Sequence, residues 1–252
     1  RREAHPGMDL YDYLVSLYEE DLVVLERVER EVCAHTIRYL DIKYLSLREE
    51  LLRVNVLLGI TGCHYDLPLI TVSGDIMRRL VDLIRQRYLT RPEPLAVEIE
   101  PVAIAELSFY FERLLSEELA GDTGTRPVAT QSSIAMGVLE ESFVRRFLIG
   151  IVDKRLLESL HLSDGRELTI IDRGQPYAYR WQSVYGRAET WIPLANIAGT
   201  EWDWGPEEDG TDPVTLVVRT AARDLEWVFA PNNAALGAYR RFLTAVSEIA
   251  RG

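Results

Sequence analysis

The C-terminal third of the chain alternates apolar and polar side chains in short runs, which is the pattern of strands with one buried face. Residues 161–171 hold two such runs around Asp164 and Gly165, and an Asp-Gly pair between apolar runs is typical of a hairpin turn. Further runs of this kind occupy residues 177–184, 189–197, 214–220 and 225–230. The pattern therefore predicts a series of antiparallel strands.

After these strands the apolar spacing changes from two residues to about 3.6, which indicates a helix. Asn232 and Asn233 are of the residue type preferred at a helix N-cap. The apolar stripe that follows consists of Leu236, Tyr239, Phe242, Leu243, Val246 and Ile249. A single sheet of this size cannot bury both of its faces, so we expect it to fold over and the helix to cover its open end.

The order of elements in residues 159–252 resembles a pleckstrin-homology-like (PH-like) domain of the kind also found in bacteria. The resemblance rests on the hairpin at 163–166, the strand at 189–197 running into Thr200-Glu201-Trp202, the strand pair at 214–220 and 225–230, and the capped helix from Ala234. It is a resemblance of pattern and size, because this superfold has no diagnostic short motif. It implies a barrel or sandwich closed by its helix, and a function in binding peptides, lipids or other copies of the domain.

The first hairpin departs from the lipid-binding members of this superfold. Those members place several Lys and Arg in and beside that hairpin, whereas this chain offers only Arg166, with Asp164 close by. Phosphoinositide binding is therefore not implied by the resemblance.

The N-terminal residues repeat the order of strands followed by a helix. Runs compatible with strands occupy residues 33–45, 51–60 and 67–72, and Ser73-Gly74-Asp75 then supplies a helix cap. The predicted helical stripe is Ile76, Leu80, Leu83, Ile84 and Arg87. This order predicts a second PH-like module in residues 1–92. The alternative makes residues 10–31 a helix within an α+β domain, because their pattern fits a helix about as well as a strand pair.

Residues 93–158 are expected to connect the two modules. Residues 102–119 and 137–157 have helical spacing, and they flank a polar loop at 121–133 that is rich in Gly, Thr and Ser. The predicted architecture is thus α+β and rich in β-structure. It consists of two PH-like barrel or sandwich modules, 1–92 and 159–252, joined by a helical linker.

Composition narrows the classes of partner. The net charge of −12 argues against nucleic acid and against anionic membrane surfaces, because both would be repelled. Four arginines on or beside one predicted helix could form a local basic patch, although pairing with Asp75 and Asp82 is the simpler interpretation; they are Arg78, Arg79, Arg85 and Arg87.

No stretch approaches the roughly 20 apolar residues of a membrane span. Two cysteines fit a reducing cytoplasm, where we expect the protein to be located.

One group of residues has the chemistry of a metal site. Cys33, His35, Cys63 and His64 include both cysteines and two of the four histidines, and zinc prefers such ligands. Cys63 and His64 are adjacent, however, and on a regular strand they would point to opposite faces. Buried cysteines and ordinary histidines are the simpler interpretation, and the sequence implies no cofactor.

The most unusual local sequence is an acidic loop at 201–212. It combines six carboxylates with two tryptophans but lacks the Asp-x-Asp-x-Asp-Gly order of a calcium loop. Either the tryptophans fold back onto the sheet, or the loop binds a partner with tryptophan as anchor and acidic residues as rim. In the second case the candidate binding residues are Trp202, Asp203, Trp204, Glu207, Glu208 and Asp209.

No catalytic motif is recognisable in the chain, including the nucleophile elbow, the phosphate-binding glycine loop and the His-Glu-x-x-His pair. His161, Ser163 and Asp164 are residue types used by hydrolases, but neighbours in one tight turn rarely face each other as a nucleophile and its base must. We therefore expect a non-enzymatic protein-interaction or scaffold module that binds an unknown protein and could self-associate. The alternative is an enzyme or small-ligand binder with a pocket between the two modules.

Overall fold

The structure is a computed structural model that describes residues 13–29, 31–51, 53–70, 74–89, 95–121, 124–136, 154–179, 181–205 and 212–251. These residues form a β-rich fold of antiparallel sheets with three α-helices, the last of which ends the chain. The predicted outline is therefore confirmed. None of the sheets among these residues closes into a barrel, so the predicted pair of closed modules is not confirmed.

The N-terminal elements are six strands and a helix. They are β1 (Tyr13–Leu17), β2 (Asp21–Val28), β3 (Glu31–Arg38), β4 (Ile42–Glu50), β5 (Arg53–Ile60), β6 (Cys63–Ile70) and α1 (Gly74–Tyr88), with a 3-10 turn at Tyr39–Asp41 between β3 and β4. The helix considered for residues 10–31 is wrong over β1 and β2. In β2, Leu22 and Val24 are buried while their neighbours are less so, which is the two-residue period of a strand.

The predicted helix α1 is confirmed, and its predicted stripe is buried only in part. Ile84 is fully buried and Leu80 packs against the same core, whereas Ile76 and Leu83 are exposed. The other residues that pack onto the sheet are Met77, Val81 and Tyr88. The buried face is therefore centred about one position further along than the predicted stripe.

The connector contains less helix than its sequence predicts. Helix α2 spans only Phe109–Ala120, and residues 95–108 have no regular structure. The predicted loop at 121–133 includes a strand, β7 (Arg126–Gln131), which is followed by β8 (Ile134–Ala135). The sequence pattern did not predict β7 because the segment is polar. Its polar side chains are tolerated in the strand because those of Thr130 and Gln131 accept hydrogen bonds from the backbone of other segments. Of the second predicted helix, residues 137–153 lie outside the described residues, and β9 (Lys154–Leu156) is a strand.

The C-terminal elements are seven strands and a helix. They are β10 (Ser159–Ser163), β11 (Glu167–Asp172), β12 (Tyr177–Tyr179), β13 (Arg187–Pro193), β14 (Gly199–Asp203), β15 (Val214–Arg219), β16 (Asp224–Phe229) and α3 (Leu236–Arg251), with a 3-10 turn at Leu194–Asn196. The predicted cap is confirmed, since the Asn233 side-chain oxygen accepts a 3.0 Å hydrogen bond from the Ala235 amide. The predicted stripe of α3 is buried except for Ile249.

One seven-stranded sheet runs through both parts of the chain, in the order β6-β5-β4-β13-β11-β10-β7. Its N-terminal and C-terminal strands meet where β4 pairs with β13, from Leu45 opposite Trp191 to Glu49 opposite Arg187. Three smaller sheets have the orders β1-β2-β3, β12-β9-β8 and β14-β15-β16. Apart from the short β12, the order of three strands, a 3-10 turn, three strands and a helix occurs twice.

Strand β4 is buried on both faces because two hydrophobic cores lie on either side of the sheet. Leu45 and Leu47 belong to an N-terminal core beneath α1, whereas Tyr44 belongs to a C-terminal core beneath α3. Trp191 of β13 also packs into the N-terminal core, although it comes from the C-terminal strands. Helix α2 covers a third cluster against β10 and β11. No helix among the described residues is long and apolar enough to cross a bilayer.

We predict that the two parts of the chain unfold together, because the β4–β13 ladder and Trp191 bind each part to the other. Four of the five tryptophans lie outside the N-terminal core, so in a Trp191→Phe variant tryptophan fluorescence reports the C-terminal strands. A dye on the exposed Cys63, in a variant with Cys33→Ser, reports the N-terminal strands. Urea titration should give coincident midpoints for both probes. Two separate transitions would instead support independent modules with the boundaries predicted from sequence.

Candidate functional site

Small and polar side chains collect on one face of the seven-stranded sheet where β4, β13 and β11 lie side by side. Ser46 pairs with Thr190, and Ala188 lies between Arg48 and Asp172 in the next row of the same face. Alternation sends the intervening residues of these strands to the opposite face, towards α1. Because Ser46, Ala188 and Thr190 are small, this part of the face leaves space above the sheet.

A cavity of about 250 Å³ occupies that space, and we call it the junction cavity. Its floor is formed by Tyr44, Ser46, Arg48, Asp172, Ala188 and Thr190. Residues 223–228 of β16 and its preceding turn form one wall, and residues 157–159 and 174–176 form the other. Pockets for drug-sized ligands usually measure about 300–1,000 Å³, so this cavity has the size for one or two amino-acid side chains.

Tyr44 is the deepest polar group of the junction cavity. Its side chain is fully buried and its ring lies on Gly59 of the neighbouring strand, where an added Cβ would come within 2.0 Å of the ring. The Tyr44 hydroxyl has no hydrogen-bond partner among the described residues. The Arg223 guanidinium lies 5.3 Å from the ring centroid. Burial raises the pKa of Tyr44, and the charges of Arg223 and Arg48 oppose that shift.

Asp172 is a half-buried carboxylate on the floor of the cavity, and both of its oxygens accept hydrogen bonds. One accepts from the Trp227 indole at 3.1 Å and the other from the Gly174 amide at 2.5 Å. Burial raises the pKa of Asp172, while these two hydrogen bonds and the charge of Arg48 act in the opposite direction. Gly174 has a φ of +75°, which favours glycine in the turn that brings its amide back to Asp172.

The remaining polar groups of the cavity differ in how far they are satisfied. The hydroxyls of Ser46 and Thr190 are 3.1 Å apart and hydrogen-bonded to each other. Arg48 and Arg223 are exposed, and neither forms an ion pair within the part of the chain that the structure describes. At the mouth, Asp224 and Glu226 are exposed as well. The floor of the cavity therefore presents hydroxyl and guanidinium donors and the carboxylate of Asp172, and its rim carries two further carboxylates.

The hydrolase residue types do not form a catalytic group. His161 is fully buried and bonded to the Tyr239 hydroxyl, with 2.9 Å between its Nδ1 and that oxygen. Ser163 Oγ donates to the Glu167 carbonyl and accepts from the Gly165 amide. These contacts hold the core and the hairpin turn, and they leave Ser163 without a base to activate it.

The four proposed metal ligands are not brought into one metal-binding group. Among the described residues, no cluster of three or more His, Cys, Asp or Glu could hold a metal ion. His35 Nδ1 lies 2.9 Å from the Tyr65 hydroxyl and its Nε2 lies 3.7 Å from Glu26. Cys63 is exposed and paired in register with Ile60, and Cys33 is half-buried on β3. His64 is exposed on β6. The structure thus gives the zinc hypothesis no ligand geometry.

The acidic loop is divided between the core and the surface. Trp202 is half-buried against Phe229 and Tyr239, with ring centroids 6.4 Å and 5.8 Å away. Trp204 is 44% exposed and Asp203 is exposed, so a role for them in binding stays a prediction. Glu207, Glu208 and Asp209 lie outside the described residues.

Trp202→Ala is expected to destabilise the fold by about 2–3 kcal/mol, because it removes a large ring from the margin of the C-terminal core. Trp204→Ala is the matched control and should change stability by less than about 1 kcal/mol. Urea unfolding at neutral pH measures both. Equal stability of the two variants would show that Trp202 does not support the core.

The arginines of α1 do not form a free basic patch. The Arg78 guanidinium donates to both carboxylate oxygens of the buried Glu189, at 2.7 Å and 3.2 Å. Arg85 forms an ion pair with the buried Glu167 and also lies 3.6 Å from Asp82. Arg87 donates to the Tyr18 carbonyl. The predicted pairing with acidic residues is therefore right in kind, but the main partners come from distant strands; Asp75 has no described side chain.

Sequence reasoning missed the junction cavity. Its signal was the presence of Ser46 and Thr190 among mostly apolar neighbours and of Asp172 at the end of an apolar run. Such positions face a core, where polar side chains need a reason to be present. Nothing in the sequence showed that β4 and β13 would be neighbours.

Comparisons with protein-family models, with curated proteins and with solved structures found no match to this chain. The class that the fold defines is a β-rich protein of antiparallel sheets with a C-terminal helix. Function must be argued from the site, because fold alone does not determine it.

Proposed function

We propose that the chain is a non-enzymatic protein-interaction module with two PH-like units that share one sheet, and that it binds a segment of a partner protein at the junction cavity. The repeated order of strands, 3-10 turn, strands and helix supports the tandem arrangement. The pairing of β4 with β13 explains why the cavity lies between the two units.

The buried Tyr44 hydroxyl is the observation that carries this proposal. Buried polar groups in folded proteins nearly always have a hydrogen-bond partner, and an unpaired one is destabilising by about 1–3 kcal/mol. Tyr44 is a lining residue of the cavity, and its hydroxyl is buried and has no partner among the described residues. A bound ligand that supplied the missing partner would recover that free energy.

Size and chemistry favour a peptide segment over a substrate or a cofactor. The cavity has room for one or two side chains and its floor carries hydroxyl and guanidinium donors. No nucleophile in it is paired with a base, since the oxygens of Asp172 are occupied and Ser46 is bonded to Thr190. This arrangement can hold a ligand without transforming it.

Selection of peptides on the intact protein tests the proposal. A display library of random dodecapeptides is selected on the wild type and on Ala188→Trp, which fills the cavity, with thermal unfolding as a check that the variant is folded. Peptides that enrich on the wild type should bind Tyr44→Phe about tenfold more weakly, because one hydrogen bond to the ligand is lost.

Tyr44→Phe is the safer variant, since removing an unpartnered hydroxyl leaves the packing of the ring unchanged. Peptides that bind Ala188→Trp and Tyr44→Phe as tightly as the wild type would place binding elsewhere and overturn the proposal. Failure of any peptide to enrich, with tight binding of small metabolites to the wild type alone, would favour a small-ligand binder instead.

A further inference from the structure

Strand β16 lies at the edge of its sheet, and that edge faces the junction cavity. The order β14-β15-β16 leaves β16 with β15 as its one partner among the described strands. The cavity is lined by successive residues from Arg223 to Val228. Side chains of a strand point alternately to opposite faces, so a cavity that contacts all of them lies along the edge of the strand. Half of the backbone groups of an edge strand are free to pair with another chain.

The two faces of β16 have different chemistry. Leu225, Trp227 and Phe229 are buried in the C-terminal core, and these define the inward face. Asp224 and Glu226 alternate with them and are exposed on the outward face. A strand added beside β16 would continue both faces, with its side chains alternating between the cavity floor and the acidic rim.

We propose that β16 pairs with an extended peptide of a partner protein, which adds a fourth strand to the sheet and carries one acidic side chain inward between two basic side chains outward. This inference rests on the proposed function and specifies its ligand. Addition of a strand to an exposed sheet edge gives affinity through main-chain hydrogen bonds, while pockets for alternate side chains give specificity.

The inward position is acidic because Arg48 and Arg223 line the cavity without an ion pair among the described residues, whereas the one carboxylate of the floor, Asp172, already accepts hydrogen bonds from Trp227 and Gly174. The Tyr44 hydroxyl has no partner, and the charges of Arg48 and Arg223 both act on it. A carboxylate accepts hydrogen bonds from hydroxyl and guanidinium groups and would be neutralised by the two arginines. A buried lysine in this position would instead meet the two arginine cations.

The outward positions are basic because they would lie beside Asp224 and Glu226, which form no ion pair within the described ranges. Opposite charges on neighbouring strands stabilise pairing, and like charges directly opposite oppose it. Because side chains of the bound peptide alternate between the two faces, we expect its charges to follow the order basic–acidic–basic.

Three synthetic heptapeptides test this order on the intact protein by fluorescence polarisation. The designed peptide is Thr-Val-Lys-Glu-Lys-Val-Thr, the neutral control is Thr-Val-Lys-Gln-Lys-Val-Thr, and the reversed control is Thr-Val-Glu-Lys-Glu-Val-Thr. The designed peptide should bind about tenfold more tightly than either control, since a charge-assisted hydrogen bond is stronger than a neutral one. The neutral control replaces only the central Glu by Gln, so its net positive charge is higher than that of the designed peptide. General attraction to an acidic protein would therefore favour the neutral control.

Variants of the protein separate the two faces. Tyr44→Phe and Arg48→Gln should each weaken the designed peptide about five- to tenfold while changing the neutral control little. Glu226→Gln should weaken the designed peptide and the neutral control, which both carry two outward lysines, about equally, and Trp204→Ala should change the binding of no peptide.

Equal binding of the designed peptide and the neutral control would overturn the inferred order, as would full affinity in Tyr44→Phe. If none of the three peptides binds but display-selected peptides still require the open cavity, the order is wrong and the proposed function stands. If the selected peptides ignore Ala188→Trp, both are wrong.

Discussion

Acidification from about pH 7 to about pH 5 is expected to lower the free energy of unfolding by about 2 kcal/mol through His161 alone. His161 is fully buried in the C-terminal core, against Phe229, Tyr239 and Trp227 at ring distances of 4.9, 5.3 and 5.9 Å. Its Nδ1 is bonded to Tyr239, and its Nε2 has no partner among the described residues.

Burial lowers the pKa of His161 to about 3, well below the ordinary value of 6.5. The folded protein therefore binds fewer protons than the unfolded chain between these two values. Stability is lost progressively as the pH falls through 6.5, and the loss approaches roughly 4–5 kcal/mol near the folded pKa. The neighbouring Tyr239 stays neutral throughout, since burial raises its pKa.

The variant His161→Leu isolates this contribution from those of the carboxylates. It leaves the Tyr239 hydroxyl unpaired at every pH, so it lowers stability by a constant amount and should remove about 2 kcal/mol of the loss between about pH 7 and about pH 5. Replacement of the exposed histidine by His64→Gln is the control and should leave the slope unchanged. Identical slopes for wild type and His161→Leu, from urea titrations across this range, would contradict the burial of a neutral imidazole.

Glu189→Gln is expected to destabilise the protein by about 3 kcal/mol at neutral pH. Glu189 is buried on β13 and receives two arginines, Arg78 from α1 and Arg187 from its own strand at 2.6 Å. The hydrogen bonds that Arg78 donates to Glu189 raise the pKa of Arg78 above its ordinary value. Removing the carboxylate charge leaves both guanidinium groups without their common partner, and breaking a buried ion pair from one side is strongly destabilising.

The matched control is Glu49→Gln, which removes another partner of the same Arg78. Glu49 lies 3.5 Å from that guanidinium, and both side chains are about one-third exposed. Pairs of this kind contribute at most about 1 kcal/mol. Urea unfolding of both variants at low and high salt measures the difference. A loss as small for Glu189→Gln as for Glu49→Gln would mean that Glu189 is not the charge that joins α1 to the C-terminal strands.

The sequence predicted the local elements best where hydrophobic periodicity was strong. The capped helix α3 and the strands β15 and β16 follow the expected pattern nearly residue by residue. Residues 126–131 were mistaken for a loop because Thr130 and Gln131 are polar; their side chains are satisfied by Ala105 and Ala230, contacts that no local pattern contains. Similarly, Ile76 and Leu83 were predicted to be buried in α1, where the structure instead buries Met77 and Tyr88. Either pair of large apolar side chains could fill the core, so the local pattern did not decide between them.

The candidate site was beyond local reasoning for a different reason. Ser46 and Thr190 are 144 positions apart in the chain and meet through the pairing of β4 with β13. Hydrophobic alternation predicts that each is on a strand, but it does not predict which strands pair. The acidic loop is visible in the sequence because its composition is unusual and its residues are adjacent in the chain. The cavity residues are ordinary, and only their arrangement in space is unusual.

Hydrogen exchange of the backbone amides of residues 224–229 tests most directly whether the junction cavity is the binding site. In the free protein we expect slow exchange for the amides that face β15 and fast exchange for those that face the cavity. A peptide selected on the wild type should slow the exchange of the fast group and leave residues 201–204 unchanged. At a peptide concentration near its wild-type Kd, this protection should be much weaker in Tyr44→Phe. Unchanged exchange in β16, with new protection around Trp202 and Trp204, would contradict the account and place binding in the acidic loop.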